Sequence, residues 1–90
     1  MLSLTTNDAE ALALSAMAAT LTDERRARRF LDLTGLDVEE LRGRAVAGDR
    51  SLLCATIAFL ESHEPDLIAV ADAIGSSPAR LVAAREVLER

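Results

Sequence analysis

The chain has 90 residues, half of them apolar and 28% charged, with a net charge of −5 at pH 7. That length supports one hydrophobic core, not two. The acidic balance works against binding to a polyanion, the single cysteine, Cys54, excludes an internal disulfide framework, and the apolar run from Leu52 to Leu60 is too short to span a bilayer.

Apolar residues recur at spacings of three and four throughout, so every element is read as a helix. Residues 1–6 are expected to be loose, and residues 7–90 to form a single helical domain. Asn7 and Glu10 have the spacing of a capping box that opens a first helix, with Leu14, Met17, Ala18 and Leu21 on its inward stripe. Thr22 is the expected cap of a second helix. Asp23 and Glu24 sit in its first turn, at the positive end of the dipole, and Ala27, Phe30 and Leu31 point inward. Gly35 stops that helix by adopting the left-handed conformation.

Asp37 and Glu40 form a second capping box, flanked by a hydrophobic staple of Leu36 and Leu41. The third helix they open contains Gly43, at a cost of about 1 kcal/mol relative to Ala unless another backbone approaches there. Gly48 ends it. Asp49 caps a fourth, central helix with Leu52, Leu53, Thr56, Ile57, Phe59 and Leu60 inward, and Cys54 in this apolar run is expected in the core. Pro65 suits the first position of a fifth helix carrying Leu67, Val70, Ala71 and Ile74. Gly75 ends that helix, and Ser77 with Pro78 starts the last one, with Leu81, Ala84 and Leu88 inward.

A shift of forty residues sets Asp32, Gly35 and Leu41 on Asp72, Gly75 and Leu81. The chain therefore reads as an all-α compact bundle of five or six short helices, built from two related three-helix halves packed through the first and fourth helices. With Phe30 and Phe59 as the only aromatics and Ala, Leu and Val dominating the apolar set, the core is thin and the helices can approach closely.

The segments Arg29-Phe-Leu-Asp-Leu-Thr-Gly-Leu-Asp37, Phe59-Leu-Glu-Ser-His-Glu-Pro65 and Ala73-Ile-Gly-Ser-Ser-Pro-Ala79 resemble a family of short bacterial proteins, domain of unknown function 3572. The resemblance covers nearly the whole chain. It implies a small helical cytoplasmic protein and brings no activity or site residues. The absence of Lys or Arg ahead of the N-terminal apolar residues likewise argues against a secretory signal.

Charge is unevenly distributed. From Thr22 to Arg50 seven Arg offset seven acids, whereas the stretch from Ser51 to Ala79 has no Arg. Arg25, Arg26, Arg28 and Arg29 form the one basic cluster and are the candidate partner-binding residues, although Glu24 and Asp32 lie one turn either side of Arg28 and suit ordinary intrahelical pairing.

Glu61, His63, Glu64 and Asp66 gather around a helix break but lack the repeated His or Cys spacing of a zinc site. His63 is expected at the C-terminus of the fourth helix, where a partly positive imidazole is favoured. Nine residues, or about 13 Å of helical rise, separate it from Cys54, so the two form no catalytic dyad within a helix. The four glycines are scattered and cradle no phosphate. Serines and threonines are read mostly as helix caps.

The two helix-Gly-helix units resemble helix-turn-helix motifs in outline. The last helix, however, offers Ala79, Arg80, Val82, Ala83 and Glu86 where base edges would be read, and an αα-hairpin explains the same residues. No catalytic, cofactor-binding or metal residue is assigned, and no cofactor or membrane is implied. The expected function is a non-enzymatic protein–protein interaction or self-association module, taking a protein partner or forming a homo-oligomer. The alternative is a helix-turn-helix-like nucleic-acid-binding module.

Overall fold

A computed structural model describes residues 4–90. Six helices follow one another: α1 (Thr6–Thr22), α2 (Glu24–Thr34), α3 (Val38–Val46), α4 (Arg50–Glu61), α5 (Glu64–Ala73) and α6 (Pro78–Leu88). There is no strand among the described residues. The radius of gyration, 11.9 Å, is about that of a compact chain of this length.

Three of the expected helix starts move. Thr5, not Asn7, caps α1: its side chain accepts from the Asp8 N–H while the Asp8 carboxylate accepts from the Thr5 N–H, a complete capping box two residues upstream of the one expected. Thr5 and Thr6, expected in the loose start, thus belong to the capped start of α1, and residues 1–3 of that stretch lie outside the described residues. Asp23, not Thr22, caps α2 by accepting from the Arg26 N–H. A carboxylate is the better acceptor there, and the Thr22 hydroxyl instead donates back to the Ala19 carbonyl. At α5, helix starts at Glu64 and Pro65 takes the second position, with His63 as N-cap residue. The Asp37–Glu40 box and the Asp49 and Ser77 caps stand where the sequence puts them.

α1 turns further than its leucines suggest. Its buried residues are Ala9, Ala13, Ala16, Met17 and Thr20, while Leu14 and Ala18 are exposed. An alanine face lets the longest helix lie close to its neighbours, and α1 packs most extensively on α6 and next on α4. The halves are thus joined through α1 and α6 even more than through α1 and α4. Thr20 and Thr56 are buried inside helices, each hydroxyl donating to the carbonyl four residues back, so these threonines are core residues and not caps. Phe30 and Phe59 meet with ring centroids 5.1 Å apart and tie α2 to α4.

The forty-residue offset persists in the structure. α2 and α5 start at positions 24 and 64, α3 and α6 at 38 and 78. Buried residues pair at the same offset: Ala13 with Leu53, Ala16 with Thr56, Met17 with Ile57, Thr20 with Leu60, Phe30 with Val70 and Leu41 with Leu81.

Two departures break the likeness. Gly35 and Gly75 both have positive φ, 71° and 67°. Gly35 makes a single hydrogen bond back to Leu31, whereas the turn at Gly75 has two, Gly75 to Asp72 and Ser76 to Ala71, the Schellman pattern. And where α6 buries Leu81, Ala84 and Leu88, the positions forty residues earlier are Leu41, Arg44 and Gly48. α3 therefore has one deep anchor, Leu41, and the least contact with the rest of the bundle.

Candidate interaction surface

The basic cluster divides into two arginines that pair with α5 and two that do not. Arg26 and Arg29 reach across to Asp66 on α5, with Arg26 Nε 3.3 Å from Oδ1 and Arg29 Nη2 2.5 Å from Oδ2. Arg26 also donates to the Ala19 carbonyl near the end of α1. The Arg29 guanidinium lies 5.4 Å from the centroid of the Phe59 ring, a cation–π contact between α2 and α4. Burial alone would push the Asp66 carboxyl up, but the hydrogen bonds and charges of Arg29 and Arg26 outweigh it and hold the group below its ordinary value.

Arg25 and Arg28 remain outside. Arg28 makes only a loose, exposed pair with Glu24, at 3.8 Å, worth a few tenths of a kcal/mol. Part of the uneven charge along the sequence is thus balanced inside the fold. α2 supplies Arg26 and Arg29 to Asp66, and Arg85 of α6 pairs with Glu61 at the end of α4 and with Glu89.

His63 is exposed and makes no side-chain cap hydrogen bond; it borders a polar cleft of about 200 Å³ with Asp23, Arg25, Arg26, Arg29 and Asp66. Its place at the start of α5, beyond Ser62 at the end of α4, removes the expected role for an imidazole on the last turn. Pro65 requires the chain to leave α4 before His63. Among the described residues no group of three His, Cys, Asp or Glu side chains could hold a metal ion.

Cys54 is only partly buried, at the rim of a shallow recess with Arg50, Ser51, Leu88 and Glu89. α6 ends at Leu88 and leaves that side of α4 uncovered. Burial and the Glu89 charge push the thiol up against the opposing pull of Arg85 and Arg50, which keeps it protonated and weakly nucleophilic at neutral pH.

α5 and α6 cross at 96°, within the range of helix-turn-helix pairs and unlike an antiparallel αα-hairpin. Yet Leu81, Ala84 and Leu88 of α6 are buried and Arg85 is held by Glu61 and Glu89. The start of the helix presents Ala79 and Arg80 to solvent. No single helix among the described residues is long and apolar enough to cross a membrane.

What no sequence pattern singled out is an apolar groove between α1 and α3. Leu14, Met17, Ala18 and Leu21 line one wall and Val38, Leu41, Arg42 and Ala45 the other, enclosing about 230 Å³. The inward stripe expected for α1 is this groove wall. Leu14 is 39% exposed and Val38 48%. Forty residues on, Leu21 and Ala45 correspond to Glu61 and Arg85, which close the second half with an ion pair. The sequence signal was available in that comparison: an acid and a base in one half stand against two apolar residues in the other.

The molecule is a small all-α protein with a thin core and one loosely docked helix flanking an apolar groove. A family profile described as "Protein of unknown function (DUF3572)" matches residues 6–90, and the chain belongs to that family. No curated protein and no solved structure matches it.

Proposed function

We propose that the chain is a non-enzymatic protein–protein interaction module, self-association included, and that its working surface is α3 with the groove α3 shares with α1. The observation that carries this reading is the groove itself: an apolar recess bordered by exposed Leu14 and Val38, in a chain where Arg26, Arg29 and Arg85 are taken up by carboxylates of other helices. Isolated apolar side chains on a surface are ordinary, whereas apolar residues gathered along a groove favour association.

The test is light-scattering sizing and affinity capture from native lysate, run in parallel on the natural chain and Leu14→Glu. Leu14 is already partly exposed, so the charge is tolerated by the fold. The expected outcome is an association, with itself or with a captured protein, that Leu14→Glu removes. A monomer that captures the same proteins as the variant overturns the reading.

The nucleic-acid alternative has the 96° crossing of α5 and α6 in its favour. A mobility-shift titration at low salt tests it, because counterion release makes even non-specific binding visible there. A shift carried by Arg25, Arg28 or Arg80 supports it, and no shift at micromolar protein removes it.

A further inference from the structure

The outer face of α3 consists of Glu39, Gly43 and Val46, with Val38 and Arg42 at its edge, where they also line the groove. All five are exposed. Three features of this face have no explanation within one copy. Val38 and Val46 leave apolar surface in solvent, Val46 being 84% exposed.

Glu39 and Arg42 have no ion-pair partner among the described residues, as holds also for Arg25, Arg50, Arg80 and Arg90, but these two stand together on one face of α3. And nothing lies within 4 Å of where a Cβ on Gly43 would be. No neighbour in the chain requires a glycine there, yet glycine inside a helix destabilises it relative to alanine.

A second copy of the chain supplies opposite charges to Glu39 and Arg42 and a close neighbour to Gly43. Acids fill the first turn of α3, Glu39 and Glu40, and arginines its later part, Arg42 and Arg44. An antiparallel pairing of two such helices sets acid against base, whereas a parallel one sets like against like. We infer that two copies associate through α3, antiparallel, about a twofold axis passing between Glu40 and Leu41. This rests on the interaction reading above and names the partner.

In that register Glu39 of each copy faces Arg42 of the other, and Gly43 flanks the contact, where the missing side chain lets the two helices come close. The contact is isologous, so each pair occurs twice. A contact built on one helix from each side falls at the small end of specific interfaces, so the dimer is weak, with a dissociation constant in roughly the micromolar range or above.

Sedimentation velocity of the full chain from about 10 µM to about 1 mM tests the pairing. The expected result is a monomer–dimer equilibrium in which Arg42→Glu and Glu39→Arg each weaken association about tenfold or more, because each sets like charges opposite one another. The double variant Glu39→Arg/Arg42→Glu recovers most of the affinity.

Gly43→Leu provides an independent reading, since leucine is the better helix former: its thermal midpoint holds or rises while dimerisation weakens about tenfold or more. A purely structural role for this face would not separate those two readouts. A chain monomeric at about 1 mM overturns the pairing, as does a dimer indifferent to Gly43→Leu, or a double charge variant as weak as the singles. A monomeric chain that still loses a captured protein on Leu14→Glu overturns the pairing and leaves the interaction module standing, whereas a monomer whose captures are unchanged by Leu14→Glu overturns both.

Discussion

Gly43 and Gly35 stand eight positions apart, and replacing each by alanine has opposite consequences. Gly43 lies inside α3 with helical backbone and open space around it, so Gly43→Ala adds helix propensity and nothing else, raising stability by about 1 kcal/mol. In thermal denaturation of the monomer at low concentration the midpoint rises by at most roughly 4–8 °C, and by less to the extent that α3 opens on its own. Gly35 has φ of 71°, and Gly35→Ala lowers stability by about 1–2 kcal/mol through backbone strain alone.

Asp66 is the second residue on which stability turns. Its carboxyl is held below the ordinary value by Arg29 and Arg26 against the effect of burial. Its contribution is therefore fully present above the unfolded carboxyl value of about 3.9, and is lost as the pH falls through the lower folded value. Asp66→Asn should cost about 1.5–3 kcal/mol at pH 7, with the gap to the natural chain narrowing on acidification below about pH 4. Urea unfolding of both chains at neutral and acidic pH measures it.

Among the elements, α3 is the one held least by packing and most by its own end. Its start is the complete box of Asp37 and Glu40, 2.8 Å and 3.2 Å for the two reciprocal hydrogen bonds, and its one deep anchor is Leu41. Asp37→Ala should cost about 1 kcal/mol. Because α3 opens largely on its own, hydrogen exchange should show that loss as about fivefold faster exchange in α3, with α4 amides unchanged. Equal acceleration of α3 and α4 would mean that α3 unfolds only with the whole chain.

Helix starts of this kind were legible because a cap acts over three residues and needs no partner elsewhere. The misread starts have the same local origin. Thr5 with Asp8 competes with Asn7 and Glu10, and Asp23 competes with Thr22, within one turn in each case, and the sequence contains both candidates.

For the whole molecule the alanine face of α1 sets the distances. Ala13 is fully buried, and Ala13→Leu should destabilise by about 1–3 kcal/mol or more as α4 and α6 are forced away. Ala11→Leu, on the exposed side of the same helix, should change stability by less than about 0.5 kcal/mol. Chemical denaturation of the two variants distinguishes an overpacked core from a general effect of leucine in α1.

Six helices, most of their boundaries, the inward residues of α4, α5 and α6 and the forty-residue kinship of the halves were determined by the sequence, because periodicity, capping and glycine stops are properties of neighbouring residues. Which face of α1 is buried, where Arg26, Arg29 and Arg85 find their carboxylates, and that α3 keeps a bare face beside an apolar groove were decided by tertiary structure alone. The ion pairs join residues 24 to 40 positions apart, α1 meets α6 from still farther along the chain, and the outcome depends on which helix reaches a surface first. α6 carries three inward residues into the bundle, whereas α3 brings only Leu41 and leaves its outer face uncovered.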